Sequence, residues 1–201
     1  MNEELFLVLH GLAIKKHASA ESVAELIGLD PARVSALLAE SVTRGRVLQA
    51  QGRYSLAPMA RVTLDGLYSR FCSELRGRAE FVHLYEDFET VNAVLKALVT
   101  DWQVTTIAGA RVANDHSDAD YDARIIDRLG DLHERAEPMF KRLSSHLPRL
   151  SIYAAKLQSA LEKAEDGAIE WVSDARIESY HTLWFELHED LLRLLGRARV
   201  E

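Results

Sequence analysis

With 201 residues, of which 48% are hydrophobic and 27% are charged, the chain predicts one or two folded domains and excludes a largely disordered protein. Its single cysteine, Cys72, excludes a disulfide framework within one chain. The net charge of −7 arises in residues 71–201, which hold sixteen Lys/Arg and twenty-four Asp/Glu, whereas residues 1–70 hold eight and seven, so any nucleic acid is expected to bind the N-terminal part.

The N-terminal segment predicts three helices in succession. Residues 2–17 place apolar side chains at helical spacing. Ser19 suits the N-cap of a second helix, which is expected to end at Gly28, where a left-handed residue is typical. The Asp-Pro pair at 30–31 then suits the start of a third helix, which is expected to end at Gly45.

A β-hairpin is predicted directly after the third helix. Residues 46–56 place Val47, Tyr54 and Leu56 at strand positions. Gln51 and the glycine after it suit the tight turn between the two strands.

The order helix, helix, turn, helix, hairpin resembles the winged-helix domains of the MarR, GntR and related bacterial regulators. The residues that carry this resemblance are Val23–Leu29, Val34, Leu38, Gly52, Tyr54 and Leu56. The resemblance covers about a third of the chain and implies a winged helix-turn-helix domain over residues 1–65. It also implies that the helix at 31–44 is a recognition helix, although winged helices serve as protein-interaction modules as well.

The resemblance implies which side chains would contact double-stranded DNA. Arg33 and Ser35 lie near the start of the recognition helix, where base edges are usually met. Basic side chains around them would hold phosphates, and the tip of the hairpin, the wing, would reach the minor groove or the backbone. The predicted set is Arg33, Ser35, Thr43, Arg44, Arg46, Gln51, Arg53, Lys15 and Lys16. The alternative is that these are ordinary solvated surface residues.

Residues 66–201 predict an all-α helical bundle, since no strand signal follows the wing. Residues 103–119 look irregular, Pro138 is expected to kink or split a long helix, and a last helix is predicted from about Ser173 to Leu195. The predicted fold class is therefore mainly α, a winged helix-turn-helix followed by an all-α helical bundle. The resemblance to the bacterial regulators implies that this second domain dimerises, and the domain is also a candidate to bind a ligand.

The sequence contains no established motif for catalysis or for metal binding. It lacks the common nucleotide-binding, hydrolase and zinc-protease motifs. Asp118, Asp120 and Asp122 miss two positions of a calcium loop, and helix capping by Asp118 or Asp120 is the better interpretation. His181 and His188 lie two turns apart on one helix, roughly 10 Å, too far to share one ion without other ligands. We therefore predict no catalytic residue, metal or cofactor.

Polar and aromatic side chains on mainly apolar helix faces predict a small-molecule pocket in the helical domain. They are Asn92, Trp102, Tyr180, His181, Trp184 and His188. The alternative is that these side chains are core residues whose polar atoms bind one another.

These features together predict a dimeric DNA-binding transcriptional regulator rather than an enzyme. The acidic N-terminus and short apolar runs predict a cytoplasmic protein without a membrane segment. Two other functions stay open at this point. One is an accessory subunit of a metabolic enzyme, which would use the winged helix to bind protein, and the other is an enzyme that uses His181 and His188 as acid and base.

Overall fold

The computed structural model describes residues 2–107 and 109–198 of the chain. These residues form a mainly helical protein with two short hairpins, which confirms the predicted helical class. The helices are α1 (Glu3–Lys15), α2 (Ala20–Ile27), α3 (Pro31–Thr43), α4 (Pro58–Phe71), α5 (Ser73–Gly77), α6 (Ala79–Gln103), α7 (Ala119–His146), α8 (Ser151–Glu165), α9 (Glu170–Ser173) and α10 (Tyr180–Leu195). The strands are β1 (Val47–Ala50), β2 (Arg53–Leu56), β3 (Val104–Ile107) and β4 (Ala110–Ala113).

The chain forms two compact units. The first unit comprises the residues up to Ala79 and those from His188 onward, and the second comprises Glu80–Leu187. Helix α10 therefore contributes residues to both units. These limits differ from the predicted domains 1–65 and 66–201, and the predicted domain boundary stays a prediction.

The first three helices begin and end within two residues of the predicted positions, and side chains satisfy backbone groups that their first turns leave free. Asn2 accepts from the amide of Leu5, and Ser19 accepts from that of Ser22. Asp30 accepts the amide of Arg33 at 2.9 Å, at the start of α3. Gly28 ends α2 in the left-handed region with φ of 70°, which turns the chain toward α3.

The first hairpin is the predicted one. Strands β1 and β2 pair antiparallel, with Val47 opposite Leu56. Gln51 and Gly52 both have positive φ, as the mirror-image turns of two-residue hairpins require. Tyr54 also exchanges two backbone hydrogen bonds with Ala18, in the segment between α1 and α2, so the hairpin is tied to the helices.

The prediction of an all-α C-terminal domain is wrong at residues 104–113. Strands β3 and β4 pair antiparallel there, with Val104 opposite Ala113, around a turn that includes Gly109. All four residues of β4 are exposed, so no alternation of apolar and polar residues marks the strand in the sequence.

Two helix predictions in this region also need correction. Pro138 lies inside α7, which continues unbroken to His146. The predicted last helix begins at Tyr180 rather than at Ser173, because residues 175–178 form a turn. Asp174 accepts the backbone amide of Arg176, and the Ser179 hydroxyl accepts that of Thr182 at the start of α10. Within the part of the chain that the structure describes, no helix is both long enough and apolar enough to cross a membrane.

Candidate functional site

Helix α3 has one buried side and one exposed side. Val34, Leu37, Leu38 and Ser41 are buried, as the sequence predicts. The opposite side is open to solvent along most of the helix. Its exposed residues are Pro31, Ala32, Arg33, Ala36, Ala39, Glu40 and Thr43. Alanines make up much of this side, so its polar contacts depend on a few side chains.

Arg33 is exposed in the first turn of α3, where the sequence predicts a base contact, but it is held by a carboxylate. Its Nη2 and Nε atoms lie 2.6 and 3.0 Å from Oε2 of Glu4 in α1. The hydrogen bonds that Arg33 donates to Glu4 raise the pKa of its guanidinium. A DNA contact by Arg33 has to replace this ion pair, which is exposed and therefore readily broken.

The C-terminal end of α3 also mixes charges. Arg44 pairs with Glu40, one turn earlier, at 2.9 Å. The Thr43 hydroxyl donates to the carbonyl of Ala39, and Ser35 is half-buried. The guanidinium of Arg44 is therefore the main group at this end of the helix that could bind a phosphate.

Basic residues meet where the end of α1 approaches the first hairpin. Lys15 lies in the last turn of α1 and is half-buried, whereas Lys16 follows it and is exposed. Arg53, exposed at the start of β2, donates to the carbonyl of His17 at 3.4 Å. The contact brings Arg53 of the first hairpin close to the C-terminal end of α1, where the two lysines lie. Of the remaining predicted residues, Gln51 is exposed in the hairpin turn and Arg46 is half-buried before β1.

In the second unit, the side chains predicted to orient a ligand bind one another. Asn92 of α6 accepts from the indole N–H of Trp184 at 3.0 Å and donates to Glu89 at 3.1 Å. The Trp184 ring stacks on Phe88, and the hydroxyl of Tyr85 donates to Glu89. These contacts use polar atoms that a ligand would need, which favours the alternative of a hydrogen-bonded core.

The other predicted ligand residues are divided among different surroundings. Tyr180 is buried, and its hydroxyl lies 3.2 Å from Nδ1 of His133. His181 is half-buried, and burial lowers its pKa. Trp102 is buried and packs on His116, 4.6 Å between ring centroids. His188, which is also buried, belongs to the first unit.

The predicted capping role in the acidic loop is confirmed. Asp118 accepts the backbone amide of Tyr121 at the start of α7. Asp122 is buried and accepts from Asn114 and His116, at 2.9 Å each. Among residues 2–107 and 109–198, no group of three His, Cys, Asp or Glu side chains is arranged to hold a metal ion.

Sequence reasoning missed a buried polar network in the first unit. His10 of α1 is fully buried, with Nε2 2.9 Å from Asp190 of α10 and Nδ1 2.7 Å from the hydroxyl of Tyr68 in α4. Since a carboxylate only accepts, Nε2 carries the proton and Nδ1 accepts from tyrosine. Burial raises the pKa of Tyr68 far above its ordinary value.

A signal for this network existed in the sequence. His10 follows Phe6 by four residues on the apolar face of α1, and Asp190 interrupts the leucine-rich stripe of α10 between Leu187 and Leu191. Two ionisable groups on apolar faces predict that each is buried with a partner.

Compared with known proteins, the chain matches no protein family, and no curated protein or solved structure matches it significantly.

Proposed function

We propose that the protein is a dimeric DNA-binding transcriptional regulator and that residues 1–65 are its winged helix-turn-helix domain. The observation that carries the proposal is the exposed side of α3, which follows α2 through the left-handed turn at Gly28 and precedes a hairpin with a two-residue turn. This order and this exposure suit a helix that enters the major groove. The prediction of a small-molecule effector stays open beside it.

The first hairpin supports the same proposal. Its turn is exposed, and its base is fixed to the segment between α1 and α2 by the paired backbone bonds of Ala18 and Tyr54. Arg53 and Lys16 would then lie on the side where a wing meets the phosphate backbone. In this proposal α3 reads base edges through Arg33, and the residues around the hairpin supply affinity.

Exposed ion pairs on the first unit are the contacts that DNA would have to replace in order to bind. Arg33 and Arg44 are each held by a carboxylate, Glu4 and Glu40, in exposed pairs. A phosphate or a guanine edge would compete with these carboxylates for the same guanidinium groups. We therefore expect weak binding to mixed sequence and a larger gain at a specific site, where base contacts add to the phosphate contacts.

Binding of the full-length protein to DNA from upstream of its own gene tests the proposal. We expect fluorescence anisotropy to give an affinity that falls linearly with the logarithm of salt concentration, and a mixed-sequence duplex to bind more weakly. Arg53→Ala should lower affinity for both DNAs and reduce the salt slope by about one, as for a phosphate contact. Arg33→Ala should lower the preference for the upstream DNA.

A matched control comes from the second unit. Arg142 is exposed and paired with Asp87, so Arg142→Ala removes the same charge from a comparable surface pair. It should bind DNA like the wild type. If Arg33→Ala, Arg53→Ala and Arg142→Ala lose the same amount of DNA affinity, the loss comes from the change in net charge alone. A wild-type protein that does not bind DNA even at low salt would overturn the proposal.

A further inference from the structure

A cavity of about 210 Å³ lies in the first unit, where the end of α1, the end of β2 and helix α4 meet. Its inner wall is apolar, because it is lined by Leu12, Leu56 and Leu64, which are all buried. We call this space the α1–α4 cavity. An engineered apolar cavity of about 150 Å³ binds benzene, so the α1–α4 cavity has room for a six-membered ring and one polar group.

The rim of the α1–α4 cavity is basic. Lys16, Arg61 and Arg193 line it together with Asp65, so three positive charges stand beside one negative charge. Arg193 Nη1 lies 3.7 Å from Asp65, and its Nε lies 2.7 Å from Glu189. Both carboxylates are therefore occupied with Arg193 rather than with Arg61.

Arg61 is the group that points to a ligand. It precedes the buried Leu64 and Tyr68 by three and seven residues, so it lies on the side of α4 that packs within the unit. None of the other residues that the structure describes gives its guanidinium a hydrogen bond or an ion pair. A guanidinium carries its N–H donors in a planar fork that matches a carboxylate. An arginine without a partner at the mouth of an apolar cavity is suited to orient an anionic ligand.

Lys16 reaches the cavity with a strained backbone. It has φ of 64° and ψ of −49° at the end of α1, and the amide of His17 donates to the carbonyl of Lys15 at 2.7 Å. This is the γ-turn with positive φ, which is rare and strained for a residue with a side chain and which glycine adopts readily. Strained residues of this kind cluster at binding sites. A lysine where glycine would be more stable therefore indicates that its charge is used here.

We infer that the α1–α4 cavity binds a small organic carboxylate, whose apolar body lies against the leucines while its charge is held by Arg61 and Lys16. Arg61 would donate two parallel hydrogen bonds to the carboxylate, and Lys16 would add a second positive charge. A phosphate group would use the same cations but leave the leucine wall uncovered. A neutral apolar molecule would cover the wall but leave the guanidinium without an acceptor. An acid with a ring or a short branched chain satisfies both.

Protein-observed nuclear magnetic resonance of the full-length chain, titrated with cyclohexanecarboxylate, tests the inference. We expect saturable shifts at the amides of residues 12–17 and 60–65, with a dissociation constant of about 1 mM or less. Cyclohexanecarboxamide has the same ring without the charge, and acetate has the charge without the ring, so each should bind at least tenfold more weakly. Absence of saturation by about 10 mM cyclohexanecarboxylate would overturn the inference, and so would equal binding of either control.

Arg61→Gln tests the contact with the anion. It keeps the apolar stem of the side chain but removes the charge, so cyclohexanecarboxylate should bind about tenfold more weakly while the carboxamide binds as before. Arg70→Gln is the matched control, since it removes an exposed arginine from the far end of the same helix and should leave binding unchanged. Equal losses in the two variants would assign the effect to net charge and overturn the site.

Lys16→Gly tests the strained lysine. The variant should melt at a higher temperature than the wild type, because glycine relieves the positive φ, and should bind cyclohexanecarboxylate a few-fold more weakly. A variant that binds like the wild type would overturn the role of Lys16 in the site, and one that melts no higher would contradict the strain. These tests use no DNA, so the inference and the proposed function can fail separately.

Discussion

The two units each bury a polar side chain on a largely apolar helix face, but they satisfy it with different chemistry. In the first unit, the imidazole of His10 lies between the carboxylate of Asp190 and the hydroxyl of Tyr68. In the second, the neutral amide of Asn92 accepts from the indole of Trp184. A hydrogen bond to a charged group contributes more to stability than one between two neutral groups. The first unit therefore depends on a hydrogen bond to a carboxylate and the second on a hydrogen bond between two neutral side chains.

The largest expected effect comes from removing the buried carboxylate. Asp190→Ala leaves His10 without the acceptor for its Nε2 proton, and we expect a loss of about 3 kcal/mol in the free energy of unfolding, the upper end of the range for a hydrogen bond to a charged group. Urea unfolding followed by circular dichroism measures it. Asp190→Asn, which keeps a carbonyl oxygen for the same proton, should lose less.

A surface carboxylate provides the control for that comparison. Asp87 is exposed and pairs with Arg142, so Asp87→Ala should unfold at the same urea concentration as the wild type. If Asp190→Ala also unfolded at that concentration, the buried network would contribute nothing to stability and the contrast between the units would fail.

The hydrogen bond between the neutral side chains of Asn92 and Trp184 should give a smaller effect. Asn92→Leu keeps a side chain of similar size but leaves the Trp184 indole N–H without its acceptor, at a cost of about 1–3 kcal/mol. All three tryptophans, Trp102, Trp171 and Trp184, lie in the second unit, so their fluorescence during urea unfolding reports on it. A variant more stable than the wild type would mean that Asn92 is kept for a ligand rather than for the core.

These networks also mark what the sequence could and could not predict. The ends of α1, α2 and α3 were predictable because Asn2, Ser19, Gly28 and Asp30 act on backbone groups a few residues away. The partner of His10 was not, because 180 residues separate it from Asp190, and only tertiary packing chooses between candidate partners.

The candidate site was likewise predictable in its local helix geometry but not in its tertiary contacts. Periodicity correctly assigned the buried and exposed sides of α3, since that depends on helix geometry alone. It did not indicate that Arg33 binds Glu4, because that contact depends on how α1 lies against α3. Strands β3 and β4 were missed for another reason: an exposed hairpin has no buried face to impose a period of two.

A third test uses pH to sharpen the comparison of the two units. Burial lowers the pKa of His181, so the folded state favours the neutral ring while the unfolded chain takes up a proton near pH 6.5. Stability from this group is complete above the unfolded pKa and is lost as pH falls below it. The unfolding free energy of His181→Gln should therefore fall less than that of the wild type between about pH 7.5 and 5.5. His83→Gln, at an exposed histidine of α6, should follow the wild type, and equal falls in both variants would show that burial of His181 does not matter.

The smallest effect on stability, and the most informative one for function, is expected at the surface pair of Glu4 and Arg33. Both side chains are substantially exposed, 40% and 49%, so Glu4→Gln should leave the melting temperature unchanged. It also removes the competitor for the guanidinium, so the affinity for upstream DNA should rise a few-fold if Arg33 contacts it. Anisotropy at fixed salt measures the gain.

The companion variant decides whether that gain comes from Arg33. In an Arg33→Ala background, Glu4→Gln should raise the affinity for upstream DNA only as much as the loss of any one negative charge does. Asp87→Gln, which removes a surface carboxylate from the second unit, measures that general effect. If Glu4→Gln raises affinity equally with and without Arg33, the carboxylate acts through the general field of the surface. Because the exposed pair of Glu4 and Arg33 is expected to contribute little to stability, a gain in DNA affinity that depends on Arg33 would reflect contact between Arg33 and DNA. The buried pair of His10 and Asp190 cannot make such a contact.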